Sequence, residues 1–322
     1  MKEQLEALNE LTINLGSGGM LIVNIILAFV MFGIALGIKI ETFKDVFRNP
    51  RSVIVGLLLQ WIILPAVTFL VCLILNPIIT PYVAIGMLLV ASCPGGNISN
   101  FISSLSKGNV ELSVSMTAVS TIFAPLVTPI NFWMWGTLYC RVAGVTNDIP
   151  TLEIPFMDMF LQVLLLLGAP IIAGLIFAHY HPNATKHITR PAQLISILLF
   201  FGMIIASLTQ VLTSLEQEVG VYMSILCAFI IVIIHNASAL TVGYLGGTLA
   251  KVSDPDRRSL TIETGIQNSG LGLVLLFNAA IFPPDKWEHI GGMVIITALW
   301  GVWHIISGLT VSRLFNRKTR KA

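Results

Sequence analysis

The chain has 322 residues, of which 55% are hydrophobic and only 11% are charged, and its formal net charge is +2. Soluble domains carry roughly a quarter of charged residues, so this composition excludes a water-soluble fold and requires lipid around most of the surface. The basic residues form no nucleic-acid-binding patch. The 4 cysteines include no C-x-x-C pair, which argues against a disulfide framework or a zinc site.

Long apolar stretches predict an all-α integral membrane protein with about nine transmembrane helices, because each crossing needs roughly 20 apolar residues. An extracytoplasmic segment, 1–19, precedes them; Leu5, Leu8, Thr12 and Leu15 recur there at helical spacing and predict a short interfacial helix. The transporter itself covers 20–312, and 313–322 form a basic tail. The predicted spans are 20–38, 53–75, 82–106, 111–136, 157–178, 193–213, 221–249, 259–281 and 290–312.

The lysine and arginine residues set the predicted orientation. When alternate loops are assigned to one side, all 18 except Lys2, Arg141 and Lys286 fall on the same side. The positive-inside rule then places the N-terminus outside and the C-terminus in the cytoplasm of a multi-pass protein of the plasma (inner) membrane.

Two spans are interrupted at corresponding positions. The third breaks at Pro94-Gly95-Gly96 and the eighth near Gly265. Spans one to four and six to nine therefore read as two inverted repeats, with span five between them. Paired interrupted helices indicate a transporter's binding site.

Glu263 is the one acidic residue that we place well inside a span, and no lysine or arginine lies in a span to pair with it. A charge at this depth is costly, so a metal cation or a proton is the expected partner; a neutral structural glutamic acid is the alternative. Gly265 and Gly270 are expected to let the helix unwind and free backbone carbonyls for a hard cation. Gln267 adds a side-chain carbonyl one turn later.

The other break offers donors and acceptors of its own. A half-helix begins after Gly96, and its free N–H groups would attract an anion. Ser99 and Asn100 add oxygens, and Ser113 and Thr117 share one face of the next helix. Hydroxyls in membrane helices also bond simply to their own backbone or a neighbouring helix, and this alternative stays open for Ser113 and Thr117.

Four motifs together resemble the bile acid:sodium symporter family. They are S-C-P-G-G-N-I-S-N from Ser92, K-G-N-V-E-L-S-V-S-M-T from Lys107, E-T-G-I-Q-N from Glu263, and Gln60-Trp61 followed by Pro65. The resemblance implies a sodium-coupled symporter that imports an organic anion, bile-acid-like or a smaller carboxylate or sulfonate, by alternating access. It also implies two discontinuous, crossing helices (spans three and eight), a core of spans 2, 3, 4, 7, 8 and 9, and a panel of spans 1, 5 and 6.

The resemblance further implies two coupling sodium ions and no other cofactor. The first ion would be held by Ser99, Asn100, Ser113, Thr117 and Glu263. The second would be held by Gln60, Glu263, Gln267 and the carbonyls of Thr264 and Ile266. The substrate would lie near Asn268, Asn97 and Gly96. One departure is Ala91-Ser92, where some relatives carry a glutamate, which leaves Glu263 as the only acid at the crossing. The lipid bilayer, the anion and sodium are the expected partners, and no obligate protein partner is implied.

Other functions stay open beside this one. Proton coupling through Glu263 is the closest alternative, and a sensor is another. An intramembrane enzyme is disfavoured because no span holds paired aspartates and no G-x-S-x-G elbow occurs, and a P-loop pump is disfavoured because no G-x-x-x-x-G-K-[ST] occurs. His235 and His304 are interpreted as packed or pore-lining residues, and His179, His181 and His187 as members of one cytoplasmic loop.

Overall fold

A computed structural model of the chain describes residues 1–9, 16–38, 50–96, 98–145, 156–214, 221–278, 281–282 and 290–319. Within these ranges the fold is all-helical, and the only strand-like pairing is one isolated bridge. Thr12, Leu15, Asn97 and Lys286, which carried sequence predictions, lie outside them, as do residues 279 and 280 of the eighth span and the end of the basic tail.

The helices follow the predicted order. They are α1 (Lys2–Asn9), α2 (Gly16–Leu36), α3 (Pro50–Leu58, Leu59–Ile63 and Leu64–Leu75), α4 (Pro81–Ser92), α5 (Ile98–Leu105), α6 (Val110–Val142), α7 (Phe156–Val163, Leu164–Gly168 and Ala169–Tyr180), α8 (Pro182–Ser214), α9 (Val221–Leu249), α10 (Asp254–Gly265), α11 (Ser269–Leu276) and α12 (Gly291–Thr319). Five described helices are long and apolar enough to cross a membrane: α3, α6, α7, α9 and α12.

Three helices extend further than their apolar stretches predict. The helix predicted over 193–213 begins at Pro182, and those predicted to end at 136 and 312 end at Val142 and Thr319. Hydropathy marks only the lipid-facing part of a helix, whereas the polar turns beyond it remain helical. The predicted histidine loop is therefore wrong: His179 and His187 lie in α7 and α8, and only His181 separates the two helices.

A π-helical turn in α3 presents Gln60. Proline at position 65 has no N–H, and its ring clashes with the carbonyl four residues earlier, which is that of Trp61. The turn Leu59–Ile63 is correspondingly π-helical, and the displaced Trp61 carbonyl accepts a 2.8 Å bond from Asn131 Nδ2 on α6. The widened turn leaves the Gln60 side chain buried in the protein interior.

Close helix packing brings α9 against α10. A Cβ added at Gly243 would lie 2.6 Å from the Leu260 carbonyl oxygen, and one at Gly247 would lie 3.1 Å from Arg257 Cγ. Glycines four residues apart form a flat strip on one helix face, which lets the backbones approach each other. The strip fixes α10, the helix that carries Glu263, along α9.

Candidate cation-binding site

Two helix breaks meet in the protein interior and hydrogen-bond to each other. Gly95, between α4 and α5, forms an isolated antiparallel bridge with Gln267, between α10 and α11. The Gly96 amide donates to the Ile266 carbonyl at 2.9 Å, and the Asn268 amide returns a 2.8 Å bond to the first break. The bridge satisfies backbone groups that the interrupted helices leave without partners.

The glycines of the second break have a different role from the predicted one. Gly265 is the last residue of α10 and Gly270 lies in the first turn of α11, so both are helical. A Cβ at Gly265 would lie 2.3 Å from Leu240 Cδ2 on α9. The interpretation that these glycines unwind the helix is therefore wrong: Gly265 permits close packing, while Ile266 leaves the helix in an extended conformation.

The Glu263 carboxylate is fully buried and surrounded by hydroxyl groups. Ser99 Oγ donates to Oε1 at 2.5 Å and Ser113 Oγ donates to the same atom, while Thr117 Oγ1 lies 3.2 Å from both carboxylate oxygens. The Asn100 Oδ1 atom lies 2.8 Å from Ser113 Oγ and 3.3 Å from Thr117 Oγ1. Residues from α5, α6 and α10 thus meet at one oxygen-rich point.

The hydroxyl groups of this cluster have fewer hydrogens to donate than there are acceptor oxygens within bonding distance. Each hydroxyl has a single hydrogen, yet Ser113 lies within bonding distance of two acceptors and Thr117 of three. No described lysine or arginine contacts Glu263, so nothing there balances a buried carboxylate. Hydroxyl, amide and carboxylate oxygens are the ligands that hard cations prefer, and a cation in their midst would neutralise the charge.

Two amide oxygens on the other side of Glu263 have no partner. Gln60 Nε2 donates to the Glu263 carbonyl at 3.3 Å, and Gln267 Nε2 donates to the Thr264 carbonyl at 2.9 Å. The Oε1 atoms of both glutamines are buried without a hydrogen-bond donor, as is Thr264 Oγ1. Buried polar atoms are nearly always paired, so these oxygens fit a ligand such as a metal cation.

Gly95 lies beside both the Gln60 amide and the Glu263 carboxylate. An added Cβ there would lie 2.9 Å from Gln60 Nε2 and 2.9 Å from Glu263 Oε2. Oε2 therefore lies on the side of the Gln60 amide, whereas Oε1 accepts from Ser99 and Ser113, and Thr117 lies within bonding distance of both oxygens. One carboxylate thus borders both candidate cation sites.

The backbone carbonyls predicted as ligands already have one partner each. The Thr264 carbonyl accepts from Gln267, and the Ile266 carbonyl accepts from Gly96. A carbonyl oxygen has two lone pairs, so each keeps one for a cation.

Asn236 on α9 is a site residue whose role the sequence did not reveal. Its Nδ2 donates to the Gly265 carbonyl at 2.7 Å, and its Oδ1 accepts from Ser307 Oγ of α12 at 2.5 Å. Together with the two glutamines it satisfies three successive carbonyls at the C-terminal end of α10. In the sequence, Asn236 could have been noticed as an asparagine deep inside an apolar span. A polar side chain there is costly unless it hydrogen-bonds to backbone groups that a broken helix leaves free.

Two of the predicted substrate residues lie at the helix breaks, Gly96 at the first and Asn268 at the second. Gly96 is buried within the paired backbone, and Asn268 caps α11 by accepting a 3.1 Å bond from the Leu271 amide. Asn268 is partly exposed, whereas every other residue from 259 to 278 is buried. The break is therefore accessible at Asn268. Asn97 lies outside the described residues.

The two membrane histidines lie apart from this set of contacts. His235 Nε2 pairs with Thr68 Oγ1 at 2.9 Å, and its ring centroid lies 4.5 Å from that of Trp300. His304 is also buried. His235 therefore packs against Thr68 and Trp300.

Comparison with known proteins defines the class to which this fold and site belong. Residues 24–218 match the sodium bile acid symporter family. An uncharacterized sodium-dependent transporter of Bacillus subtilis, YocS, is 31% identical over 93% of this chain and 84% of its own length. A probable sodium/metabolite cotransporter of rice chloroplasts, BASS2, is 32% identical over 77% of this chain and 55% of its own length. The hepatic sodium/bile acid cotransporter of Rattus norvegicus is 24% identical over 92% and 76%.

The chain therefore belongs to the sodium bile acid symporter family. Its relatives are transporters and not enzymes, which agrees with the prediction from the sequence. The several long apolar helices are those of a multi-pass membrane protein.

Proposed function

We propose that this protein is a sodium-coupled symporter that imports an organic anion by alternating access. The observation that carries the proposal is the buried carboxylate of Glu263, which accepts from hydroxyls and lies at a helix end whose Gln60 and Gln267 contacts leave two buried amide oxygens without partners. The names of the relatives, which include sodium-dependent transporters, support sodium as the coupling ion.

Two sodium ions would be transported with each substrate as coupling ions. The first ion would be held by Glu263 Oε1, Asn100 Oδ1 and three hydroxyl oxygens. These hydroxyls belong to Ser99, Ser113 and Thr117. The orphaned glutamine oxygens at positions 60 and 267, with the free lone pairs of the Thr264 and Ile266 carbonyls and the nearby carboxylate, would hold the second. No further cofactor is proposed.

The proposed architecture has nine membrane spans in two inverted repeats. In it, α4 with α5 and α10 with α11 are the halves of two discontinuous helices, and these cross where Gly95 pairs with Gln267. The helix α2 packs against α7 and α8, which supports a panel made of these three helices beside a core formed by the rest.

The substrate would bind beside the crossing. Both second half-helices, α5 and α11, begin at the breaks, so their N-terminal N–H groups favour an anionic group there. Asn268, the partly exposed residue, would contact the anion, together with Gly96 and Asn97 of the first break. A bile-acid-like anion or a smaller carboxylate or sulfonate is the proposed class.

The proposed location is the plasma (inner) membrane, with the N-terminus outside and the C-terminus in the cytoplasm. Single cysteines introduced at Asn147 and at Arg320 should react with an impermeant thiol reagent from opposite sides of the membrane. Labelling from the same side would overturn both the orientation and the count of nine spans.

The main experiment measures uptake of labelled organic anions into proteoliposomes that contain only this protein. Replacing external sodium by choline at fixed pH should abolish uptake. Uptake that persists in choline and follows an imposed pH gradient would instead establish proton coupling through Glu263.

A further inference from the structure

A groove of about 490 Å³ runs between α9 and α12. Its walls are largely apolar, with Leu240 and Leu245 on α9 and Val311 and Leu314 on α12, and Thr261 of α10 lies in its floor. Leu245 and Leu314 are about half exposed, so the groove opens onto the surface that faces lipid in a membrane.

Arginine and aromatic side chains close the end of the groove near the C-terminal end of α12. Tyr244 and Phe315 stack across it with ring centroids 6.3 Å apart and an interplanar angle of 21°. Arg257 lies with its Cζ 5.1 Å from the Tyr244 centroid, and Arg258 with its Cζ 5.6 Å from that of Phe315. Arg317 is exposed and also lines the groove.

The local charge is positive. Arg257 is paired with Asp254 at 2.6 Å, and Arg258 donates to the Ser106 carbonyl at 3.1 Å. The Arg317 guanidinium forms no ion pair with any described residue. An apolar channel that ends at a free guanidinium matches a molecule with a hydrocarbon chain and an anionic head.

We infer that this groove binds one anionic phospholipid. The acyl chain lies along the leucine walls, and the phosphate contacts Arg317, because guanidinium groups bind phosphate oxygens through paired hydrogen bonds. In the proposed orientation this end of α9, α10 and α12 is cytoplasmic, and basic pockets between membrane helices on that side bind anionic head groups.

The floor of the groove connects the lipid to the ion site. Thr261 lies two residues before Glu263 on α10, and Leu240 packs against Gly265 at the end of that helix. A lipid held between α9 and α12 would pack against the helix that carries Glu263 and against the leucine that contacts its end. A gain in sodium affinity on lipid binding follows only if the proposed sodium function is correct.

The test of lipid binding uses the full-length protein in neutral detergent without sodium or substrate, so its outcome is separate from that of the proposed function. Thermal unfolding is followed with added phosphatidylglycerol, phosphatidylcholine or inorganic phosphate. Phosphatidylglycerol should raise the melting temperature more than phosphatidylcholine, with mass-spectrometric retention of one lipid, and inorganic phosphate should have no effect because it has no acyl chain.

Arg317→Gln should abolish the preference for phosphatidylglycerol, as should Thr241→Trp, which fills the groove from an exposed position. Arg190→Gln removes an equal charge from the exposed side of α8 outside the groove and should retain the preference. Equal shifts with both lipids, or an unchanged preference in Arg317→Gln, would show nonselective surrounding lipid only and overturn the inference.

Discussion

Gly95 and Gln267 form the antiparallel bridge that joins the two helix breaks, and Gly95 at the same time lies beside the buried Glu263 carboxylate. An added Cβ at this glycine would lie 2.9 Å from Glu263 Oε2. The pairing of the breaks and the position of the buried charge therefore depend on one residue without a side chain.

Gly95→Ala is expected to reduce sodium affinity at least tenfold, because the methyl group would displace Glu263 Oε2 and Gln60 Nε2 together. Sodium titration of thermal stability in the purified protein measures this directly. Gly202→Ala is the matched control, since a Cβ there has nothing within 4 Å. A normal sodium titration in Gly95→Ala would show that the site tolerates a shift of its carboxylate.

Glu263→Gln is expected to abolish sodium-driven uptake while the protein still inserts and folds. The neutral amide leaves the cations without a counter-charge in a buried, low-dielectric site. Uptake in proteoliposomes is the measurement, and Glu111→Gln, an exposed acid in the first turn of α6, is the control. Transport near the original rate in Glu263→Gln would refute the assignment. Ser113→Ala, which removes one neutral oxygen of several, should reduce uptake less.

Gln60→Met and Gln267→Met are each expected to remove the second sodium ion and keep the first. Both changes preserve side-chain length but delete an orphaned amide oxygen and the amide that donates to the end of α10. The sodium dependence of uptake should change from sigmoidal to hyperbolic in each variant. If the Hill coefficient of both variants equals that of the parent protein, the glutamine oxygens are not ligands of a coupled ion.

Asn236→Ala is expected to destabilise the protein by about 1–3 kcal/mol, because it leaves the buried Gly265 carbonyl without its 2.7 Å donor and removes the bond that Asn236 Oδ1 accepts from Ser307. Chemical or thermal unfolding in detergent is the readout. Ser238→Ala, on the same helix, removes only a bond to the local His235 carbonyl and should have a small effect. Equal destabilisation by the two changes would show that Asn236 has no special role at the break.

The helix order and both breaks could be predicted from the sequence because each depends on local signals. Apolar length marks the spans, and Pro94 with its glycines marks the first break. Helix ends could not be predicted in the same way. The turns of α8 that begin at Pro182 are polar, so hydropathy does not distinguish them from a loop.

The candidate ligand residues follow from motif resemblance, but their exact partners depend on tertiary packing. Nothing in the spacing indicates that Gln60 reaches the Glu263 carbonyl, because that contact requires the π-helical turn that Pro65 introduces. The interpretation of Gly265 failed for a related reason. A glycine that permits unwinding and one that permits close packing look identical until the neighbouring Leu240 is in place.

Two proposed sodium sites predict that net positive charge crosses the membrane with each substrate. The proposed sites hold two sodium ions around a single carboxylate, which stays with the protein. Two positive charges would therefore enter with each substrate, and for a monovalent anion the net movement is one positive charge inward. An inside-negative potential favours that movement by about 2.3 kcal/mol per 100 mV.

Transport of a monovalent anion should therefore be electrogenic, with a Hill coefficient for sodium above one. Proteoliposomes in which potassium and valinomycin set the voltage provide the measurement, and Gln267→Met, with one proposed ion left, should make uptake of the same anion electroneutral. If an inside-negative voltage leaves the parent's rate unchanged and its sodium dependence is hyperbolic, only one site is coupled. The glutamine site is then the one to reject. Apart from the carboxylate of Glu263, which both sites share, its proposed ligands are neutral oxygens.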